Sequence, residues 1–133
     1  MWRLAGLIVL ICWLAGCDAG SPWPALSGQW GGTGLHIDAA ARSATVQYYC
    51  SYGLTSALRV GPGGIFTASG RYYPLQLPTD SSPITLPLWL EAVPSVDTLI
   101  VTSYIGFHDP AHAVTYRVRR DAPTDVYNAG CLH

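Results

Sequence analysis

Apolar and polar residues alternate with a period of two along much of this chain. Within residues 114–119, Val114, Tyr116 and Val118 are apolar or aromatic, and the residues between them are polar. Successive side chains of a β-strand point to opposite faces, so this pattern predicts a strand with one buried face. No stretch of a dozen residues shows the 3.6-residue period of an amphipathic helix. The alternation therefore predicts an all-β protein.

Four further segments favour strands, namely 46–50, 66–73, 86–91 and 98–107. Pro87 predicts an edge strand or a bulge, and Gly70, on an inward position, predicts a close backbone approach or a bend. The segment 98–107 is apolar on both faces and predicts a central or doubly covered strand. Turn-forming residues separate these segments at 40–43, 61–64, 79–83, 95–97 and 109–110. Roughly six to eight short antiparallel strands, joined as a meander, are expected to form a small barrel or a sandwich.

The composition excludes two classes of protein. Hydrophobic residues make up 50% of the 133 residues, charged residues make up 11%, and the net charge is −1. A chain so close to neutral is not a basic nucleic-acid binder. Five tryptophans and eight tyrosines exclude an intrinsically disordered chain, because disordered chains are poor in aromatic residues. The length suits one domain with a modest core.

The N-terminus has the layout of a secretory signal. Arg3 precedes an apolar run over residues 4–16, which is shorter than the about 20 residues that a membrane-spanning helix needs. The run ends in Leu14-Ala15-Gly16-Cys17, which resembles the lipobox of bacterial lipoproteins. The resemblance implies cleavage before Cys17 and a diacylglyceryl group on its thiol. An ordinary cleaved signal with a chance cysteine is the alternative.

The lipobox resemblance divides the chain into three parts. Residues 1–16 are the signal peptide, residues 17–27 are the lipidated cysteine and a short tether, and residues 28–133 are the β-barrel domain. More than one acyl chain, palmitate among them, makes membrane anchoring stable. Asp18 resembles the inner-membrane retention signal of enterobacterial lipoproteins. The prediction is a lipoprotein of the bacterial cell envelope that faces the periplasm, with the inner membrane slightly favoured.

The cysteines then predict one disulfide. The chain has four of them, Cys12, Cys17, Cys50 and Cys131. Cys12 leaves with the signal peptide and Cys17 carries the lipid, so two thiols remain in a compartment where disulfides persist. A Cys50–Cys131 bridge closes a loop of about 80 residues and stabilises the fold by roughly 4–5 kcal/mol. The two cysteines lack the close spacing of metal ligands, and a reactive thiol pair is the remaining alternative.

Several short motifs recur in the same order in one group of bacterial proteins. They are Gly28-Gln29-Trp30-Gly31-Gly32, Tyr49-Cys50-Ser51-Tyr52-Gly53, Gly64-Ile65-Phe66, Gly70-Arg71-Tyr72 and the terminal Cys131. By these motifs the chain resembles a family of small exported bacterial β-proteins to which no activity is assigned. The resemblance supports the fold and the disulfide, and it implies no chemistry.

The first of these motifs has a second, more distant resemblance. Gly28-x-Trp30 is similar to the G-x-W motif that opens the first strand of lipocalin- and avidin-like barrels. In those proteins the tryptophan closes one end of the barrel. We therefore expect a calycin-like barrel in which Gly28 and Trp30, together with Gly70, are structural residues.

The sequence offers little for metal or catalytic chemistry. Residues 108–112 contain two histidines four apart, but Asp109-Pro110 makes this segment a turn rather than a helix face. His36 could be offered as a third ligand, but no third ligand stands at a defined spacing, so no metal site and no cofactor are predicted. No enzyme is predicted either, because the chain has no G-x-S-x-G motif and Glu91 is its only glutamate.

Two pairs of residues suggest a partner surface. Alternation places Tyr49 and Tyr73 outward, and outward tyrosines offer a large contact area at a low entropic cost. Arg117 and Arg119 form a small basic stripe on the last predicted strand. This stripe either contacts an anionic partner or is a solvated strand face.

These observations together predict a non-catalytic, membrane-anchored module that docks on another envelope protein, as inhibitors and assembly accessories do. The alternative is a calycin-like carrier of a small apolar ligand. A carrier needs a connected apolar cavity, whereas a docking module has a filled interior and an exposed apolar or aromatic patch. A closed barrel of this size is expected to be packed solid, which favours docking.

Overall fold

Short strands and tight turns make up most of the chain that the structure describes. The computed structural model describes residues 25–75 and 84–128. Their nine strands are β1 (Gly28–Gly32), β2 (Leu35–Ala39), β3 (Ser43–Tyr48), β4 (Ser51–Ser56), β5 (Arg59–Val60), β6 (Phe66–Tyr73), β7 (Leu86–Ser95), β8 (Thr98–Ile105) and β9 (Ala113–Arg120). The helical segments in these ranges are two 3₁₀ turns, Pro110–His112 and Val126–Asn128. The all-β prediction is confirmed, and nowhere in these ranges does a helix have the length and apolarity needed to span a membrane.

Eight of the strands close into an antiparallel barrel. Consecutive strands pair from β1 to β4 and from β6 to β9, and two further ladders join β4 to β6 and β9 to β1. The short strand β5 is additional to this ring and pairs with β6. Closure removes the unpaired backbone groups that an open sheet would present at its edges. Of the two predicted architectures, the chain forms the barrel.

The inward side chains form one contiguous apolar core. In β8, for example, Leu99, Val101 and Ser103 are buried and alternate with less buried residues. The buried core consists of Leu26, Trp30, Leu35, Ile37, Ala39, Ala44, Val46, Tyr48, Leu58, Ala68, Leu88, Leu90, Ala92, Leu99, Val101 and Val118. Four larger, half-buried residues pack against it, namely Phe66, Tyr72, Ile105 and Tyr116. The interior of the barrel is therefore occupied by its own side chains.

Gly70 allows the strands that close the barrel to approach each other. It pairs with Thr55 of β4 on one side and with Leu88 of β7 on the other. A Cβ atom at this position would lie 1.9 Å from the carbonyl oxygen of Leu54 and 2.7 Å from the Cα of Thr55. Any side chain would push β4 away from β6, so the predicted close backbone approach is confirmed.

We call the end of the barrel at which the described chain begins the proximal end. Ala25 forms a bridge there with Arg59 of β5. Trp30 of β1 is 4% exposed, and the guanidinium carbon of Arg120 lies 4.5 Å from the centre of its ring. The cation is attracted to the electron-rich face of the indole. Trp30 and Arg120 therefore close the proximal end.

Three tyrosines close the opposite, distal end. The ring of Tyr48 packs edge-on against those of Tyr72 and Tyr116, with centroids 5.4 and 6.1 Å away. The Tyr48 hydroxyl shares a 2.7 Å hydrogen bond with the hydroxyl of Ser103, and the Tyr72 hydroxyl donates to Ser51 Oγ at 2.7 Å. Burial raises the pKa of Tyr48, so this hydroxyl stays protonated. The hydroxyls of Tyr48 and Tyr72 are thus both hydrogen-bonded.

One prediction about an individual strand is wrong, and a second is right only in one of its two alternatives. Pro87 lies at neither an edge nor a bulge, because it pairs with Arg71 in an unbroken register. Its missing N–H interrupts no ladder, since pairing with β8 begins only at Leu88. The strand β8 is central, as one alternative predicts, because it pairs with β7 and with β9, but it is not covered on both faces. Ile100 and Thr102 lie on its outer face and are only half-buried, because the outer face of the closed sheet is turned to solvent.

Several predicted features fall outside the described residues. These are the signal peptide, the lipidated Cys17 with most of its tether, the turn at 79–83 and Cys131. Cys50 is disulfide-bonded, and it is the only cysteine in the described ranges, so its pairing with Cys131 stays a prediction. Cys50 itself belongs to the turn between β3 and β4, with a φ of 58°, rather than to a strand.

Replacing Gly70 by alanine is expected to destabilise the protein by about 3 kcal/mol or more, because the new methyl group would overlap the Leu54 carbonyl and force β4 from β6. Gly63→Ala is the matched control, because no atom lies within 4 Å of a Cβ placed there. The measurement is urea unfolding of both variants beside the wild type. Equal unfolding midpoints for the two variants would show that β4 and β6 do not need this approach.

Candidate docking surface

The distal rim carries six of the twelve exposed large apolar side chains in the part of the chain that the structure describes. We define it as residues 33–34, 49–50, 73–75, 84–86 and 106–114, which are brought to one end because consecutive antiparallel strands reverse direction. Its exposed large apolar side chains are Tyr49, Leu75, Ile84, Leu86, Phe107 and Val114. Phe107 is 64% exposed and Val114 is 50% exposed. Alternation predicts that Val114 is buried, and this is wrong. Val114 lies at the rim, where the end of the strand is exposed to solvent.

The predicted partner residues do not form one surface. Tyr49 and Tyr73 both lie in the distal rim, at the ends of β3 and β6. Arg117 and Arg119 lie on the outer face of β9 and towards its proximal end. Arg119 also forms an exposed ion pair with Asp97, with 3.4 Å between Nη2 and Oδ2. The structure thus brings the two tyrosines to one rim and leaves the two arginines elsewhere.

Tyr73 is held in place by a second tyrosine that the sequence analysis did not single out. Tyr52 lies directly opposite Tyr73 in the ladder between β4 and β6. The two rings are stacked with centroids 4.8 Å apart and an interplanar angle of 9°. Cross-strand aromatic pairs of this kind stabilise a sheet and present a flat apolar surface. The pair extends the distal rim down the outer face of β4 and β6.

A C-terminal arm, residues 121–128, runs back along the outside of β1 towards the distal rim. Asp125 is its anchor, because its carboxylate accepts hydrogen bonds from the Gly34 N–H at 2.8 Å and from the Tyr49 hydroxyl. These donors lower the pKa of Asp125, with the Gly34 N–H as the largest cause. Thr124 Oγ1 also donates to the carbonyl oxygen of Gly32 at 2.9 Å. The arm therefore fixes the exposed ring of Tyr49 in one position.

The path of the arm explains part of the Gly28–Gly32 motif. A Cβ atom at Gly31 would lie 2.2 Å from the carbonyl oxygen of Ala122, so the arm can cross β1 only over a glycine. The arm also brings the chain close to Cys50, because Asp125 binds the neighbouring Tyr49. Five residues lie between Asp125 and Cys131, and this length of chain can span about 20 Å. The predicted Cys50–Cys131 bridge is therefore within reach.

His108 folds from the loop between β8 and β9 onto the outer face of the barrel. Its ring stacks on that of Trp89, with centroids 5.3 Å apart and 12° between planes, and lies 4.5 Å from the centroid of Tyr104. Its Nε2 lies 3.2 Å from Glu91 Oε1. Burial and the nearby Glu91 carboxylate raise the pKa of Tyr104. Sequence analysis missed this cluster, because joining Trp89 to Tyr104 requires the register of the hairpin between β7 and β8.

The second histidine of the loop has a local structural role. Asp109 caps the 3₁₀ turn Pro110–His112 and accepts a hydrogen bond from the His112 N–H, at 3.2 Å. The His112 ring nitrogen Nδ1 lies 2.7 Å from the same carboxylate oxygen, and this interaction lowers the pKa of Asp109. The predicted turn at 109–110 is confirmed. Across residues 25–75 and 84–128, no three His, Cys, Asp or Glu side chains are placed to hold a metal ion together.

Asp125→Asn is expected to destabilise the protein at about pH 6, because the carboxylate that holds Gly34 and Tyr49 is lost. Since the pKa of Asp125 is lowered in the folded state, its contribution is present above the unfolded pKa of about 3.9 and is lost as the pH falls through the folded value. The difference in urea midpoint from wild type should therefore shrink towards about pH 2. Asp38→Asn, on the outer face of β2, is the control. A difference that is constant across this range would contradict the anchoring role.

Comparison with known proteins finds no relative of this chain. No protein-family model matches the chain, and neither the curated proteins nor the solved structures contain a match. The resemblances noted in the sequence therefore stay predictions, and the functional argument rests on the residues themselves.

Proposed function

We propose that this chain is a lipid-anchored protein of the bacterial envelope whose barrel docks on another envelope protein through its distal rim. The observation that carries the proposal is the contrast between a filled interior and an exposed apolar rim. Sixteen buried residues occupy the interior, and both ends are closed, by Trp30 with Arg120 and by the three tyrosines. Binding by such a barrel must use its outside, where large apolar side chains remain exposed at one end.

The place where the described chain begins supports the distal rim as the docking surface. The described chain begins at Ala25, which is bridged to Arg59 at the proximal end. Residues 17–24 would lie between the lipidated Cys17 and this point, and eight residues span at most about 28 Å. The proximal end would then face the membrane and the distal rim would face away from it. A partner in the periplasm, or in the opposite membrane, would meet the distal rim first.

The rim has the composition of a protein-binding patch. Exposed aromatic side chains such as Phe107 and Tyr49 supply contact area with few rotatable bonds. Tyr49 is fixed by Asp125, and Tyr73 is fixed by its stack on Tyr52. Side chains that are ordered before binding lose little entropy when a partner covers them. These features favour docking over the carrier of a small apolar ligand, which would need an open interior.

Lipidation of Cys17 is expected to hold the protein in the membrane fraction. Cys17→Ala removes the only thiol that the lipobox places at the cleavage site, so the protein should move from the membrane fraction to the soluble periplasmic fraction. Cys12→Ala, inside the signal peptide, is the matched control and should leave the protein membrane-bound. Immunoblots of separated fractions give the readout. Unchanged membrane retention of Cys17→Ala would count against lipidation.

A photo-crosslinking amino acid at Phe107 is expected to capture a discrete protein partner in intact cells. The control places the same amino acid at Val96, which is fully exposed in the turn between β7 and β8 at the proximal end. Adducts of defined mass should form from position 107 and not from position 96, and mass spectrometry identifies the captured protein. Equal adducts from both positions, or adducts from position 96 alone, would refute docking through the distal rim.

A further inference from the structure

Two shallow grooves lie side by side on the outer face of the barrel, and the residues that line them are not those of the distal rim. The first has a volume of about 520 Å³, and its lining includes Arg42, Arg59, Ser56, Thr67, Ser69 and Trp89. The second has a volume of about 330 Å³, and its lining includes Ser69, Arg71, Pro87 and Trp89. Ser69 and Trp89 are common to both. Volumes of this order are typical of sites for small ligands.

The first groove exists because two strands separate. The ladder between β4 and β6 ends at the pair Thr55–Gly70, and beyond this point β6 pairs with β5 instead. Ser56 Oγ accepts a hydrogen bond from the Ser69 N–H at 3.3 Å, which satisfies the backbone group that the departing strand leaves. The gap therefore follows from the strand pairing, and the Ser69 N–H beside it is already hydrogen-bonded.

Trp89 lines both grooves. It lies on β7 between Ser69 of β6 and Tyr104 of β8. The His108 ring, which also contacts Tyr104, stacks on the Trp89 ring at an interplanar angle of 12°. His108 thus covers the indole face towards β8, and the face towards β6 remains for the grooves. An indole ring held in this way can stack against a ligand on its other face.

All the charged residues that line the grooves are arginines. Arg42 and Arg59 line the first and Arg71 lines the second. Arg59 is already engaged, since its Nη2 donates to the Ala41 carbonyl oxygen at 3.2 Å, so Arg42 and Arg71 are the principal candidates for a ligand. A guanidinium binds carboxylate or phosphate oxygens through two parallel hydrogen bonds. Glu91, the only glutamate of the chain, also lies on β7, and its carboxylate interacts with His108.

We propose that Trp89, Arg42 and Arg71 form a binding site for an anionic oligosaccharide. One sugar ring stacks its C–H face on the open face of Trp89, and carboxylate or phosphate groups on neighbouring sugars reach Arg71 on one side and Arg42 on the other. The hydroxyls of Ser56, Thr67 and Ser69 both donate and accept hydrogen bonds, as sugar hydroxyls do. This site lies apart from the distal rim and does not depend on the lipid anchor.

An acidic peptide fits the same face less well. Extended peptides are commonly bound by adding a strand to a free sheet edge. The ring of eight strands is closed, and β5, the strand outside it at the first groove, is only two residues long and is already bridged to Ala25. Ser56 also satisfies the Ser69 N–H. A peptide would therefore have to bind through side chains alone, whereas a saccharide uses the indole face and the hydroxyls together.

The test is isothermal titration calorimetry with trigalacturonate, using the chain as cells export it in a detergent that carries no sugar. Maltotriose is the uncharged comparison, and hexa-aspartate is the peptide comparison. Trigalacturonate is expected to bind more tightly than either. Trp89→Leu and Arg71→Gln should each weaken its binding roughly tenfold, and Arg117→Gln, on the outer face of β9, should leave it unchanged.

Each alternative result overturns the proposal. Equal binding of maltotriose and trigalacturonate would show that the arginines do not contribute to binding. Preferential binding of hexa-aspartate would show that the grooves bind a peptide. Absence of binding at millimolar trigalacturonate, or an equal loss in Arg117→Gln, would remove the site. Urea unfolding of each variant checks its fold. Should Trp89→Leu unfold, the comparison of Arg71→Gln with Arg117→Gln alone decides.

Discussion

The ladder between β4 and β6 is the interaction on which the rest of this structure depends. Without it, the strands would form an open sheet with β4 as a free edge. With it, the sheet closes, and alternate residues of every strand of the ring face a shared interior. The ladder needs Gly70, where the backbone of β4 occupies the space of a side chain. A single residue without a Cβ atom thus permits the closure that defines inside and outside.

Closure at this size has a functional consequence. The interior is narrow enough that the barrel's own side chains fill it, and aromatic residues close both ends. Interaction with other molecules is thereby moved to the outer surface, which has two distinct parts. The distal rim is apolar and aromatic, whereas the face around Trp89 combines an indole with arginines and hydroxyls. These chemistries suit different partners, a protein surface and an anionic sugar.

Tertiary contacts also give individual loops their roles. The C-terminal arm crosses β1 over Gly31 and fixes Tyr49 through Asp125, so a segment outside the strands orders this side chain of the distal rim. The loop between β8 and β9 does the same for Trp89 through His108. Aromatic side chains on the outside of a barrel are mobile unless something supports them, and Tyr49, Tyr73 and Trp89 each have a support. The exposed surface is consequently more ordered than its accessibility alone suggests.

The sequence by itself determined the class of structure and much of its detail. Alternation identified β3, β6, β7, β8 and β9, but not β1, β2, β4 or β5. Turn-forming residues identified the turns at 40–43, 61–64, 95–97 and 109–110, and the inward position of Gly70 indicated a close approach, because each of these signals is local. Alternation also placed Tyr49 and Tyr73 on the outside, where the structure has them in the distal rim.

Only the tertiary structure decided between barrel and sandwich, because that choice depends on whether β4 finds β6, which no local pattern encodes. It also decided which outward residues are neighbours. Tyr52 with Tyr73, Asp125 with Tyr49, and Trp89 with His108 are pairs separated along the chain by strands and loops. Their contacts depend on strand register and loop path, and these are settled by packing of the whole barrel rather than by any one segment.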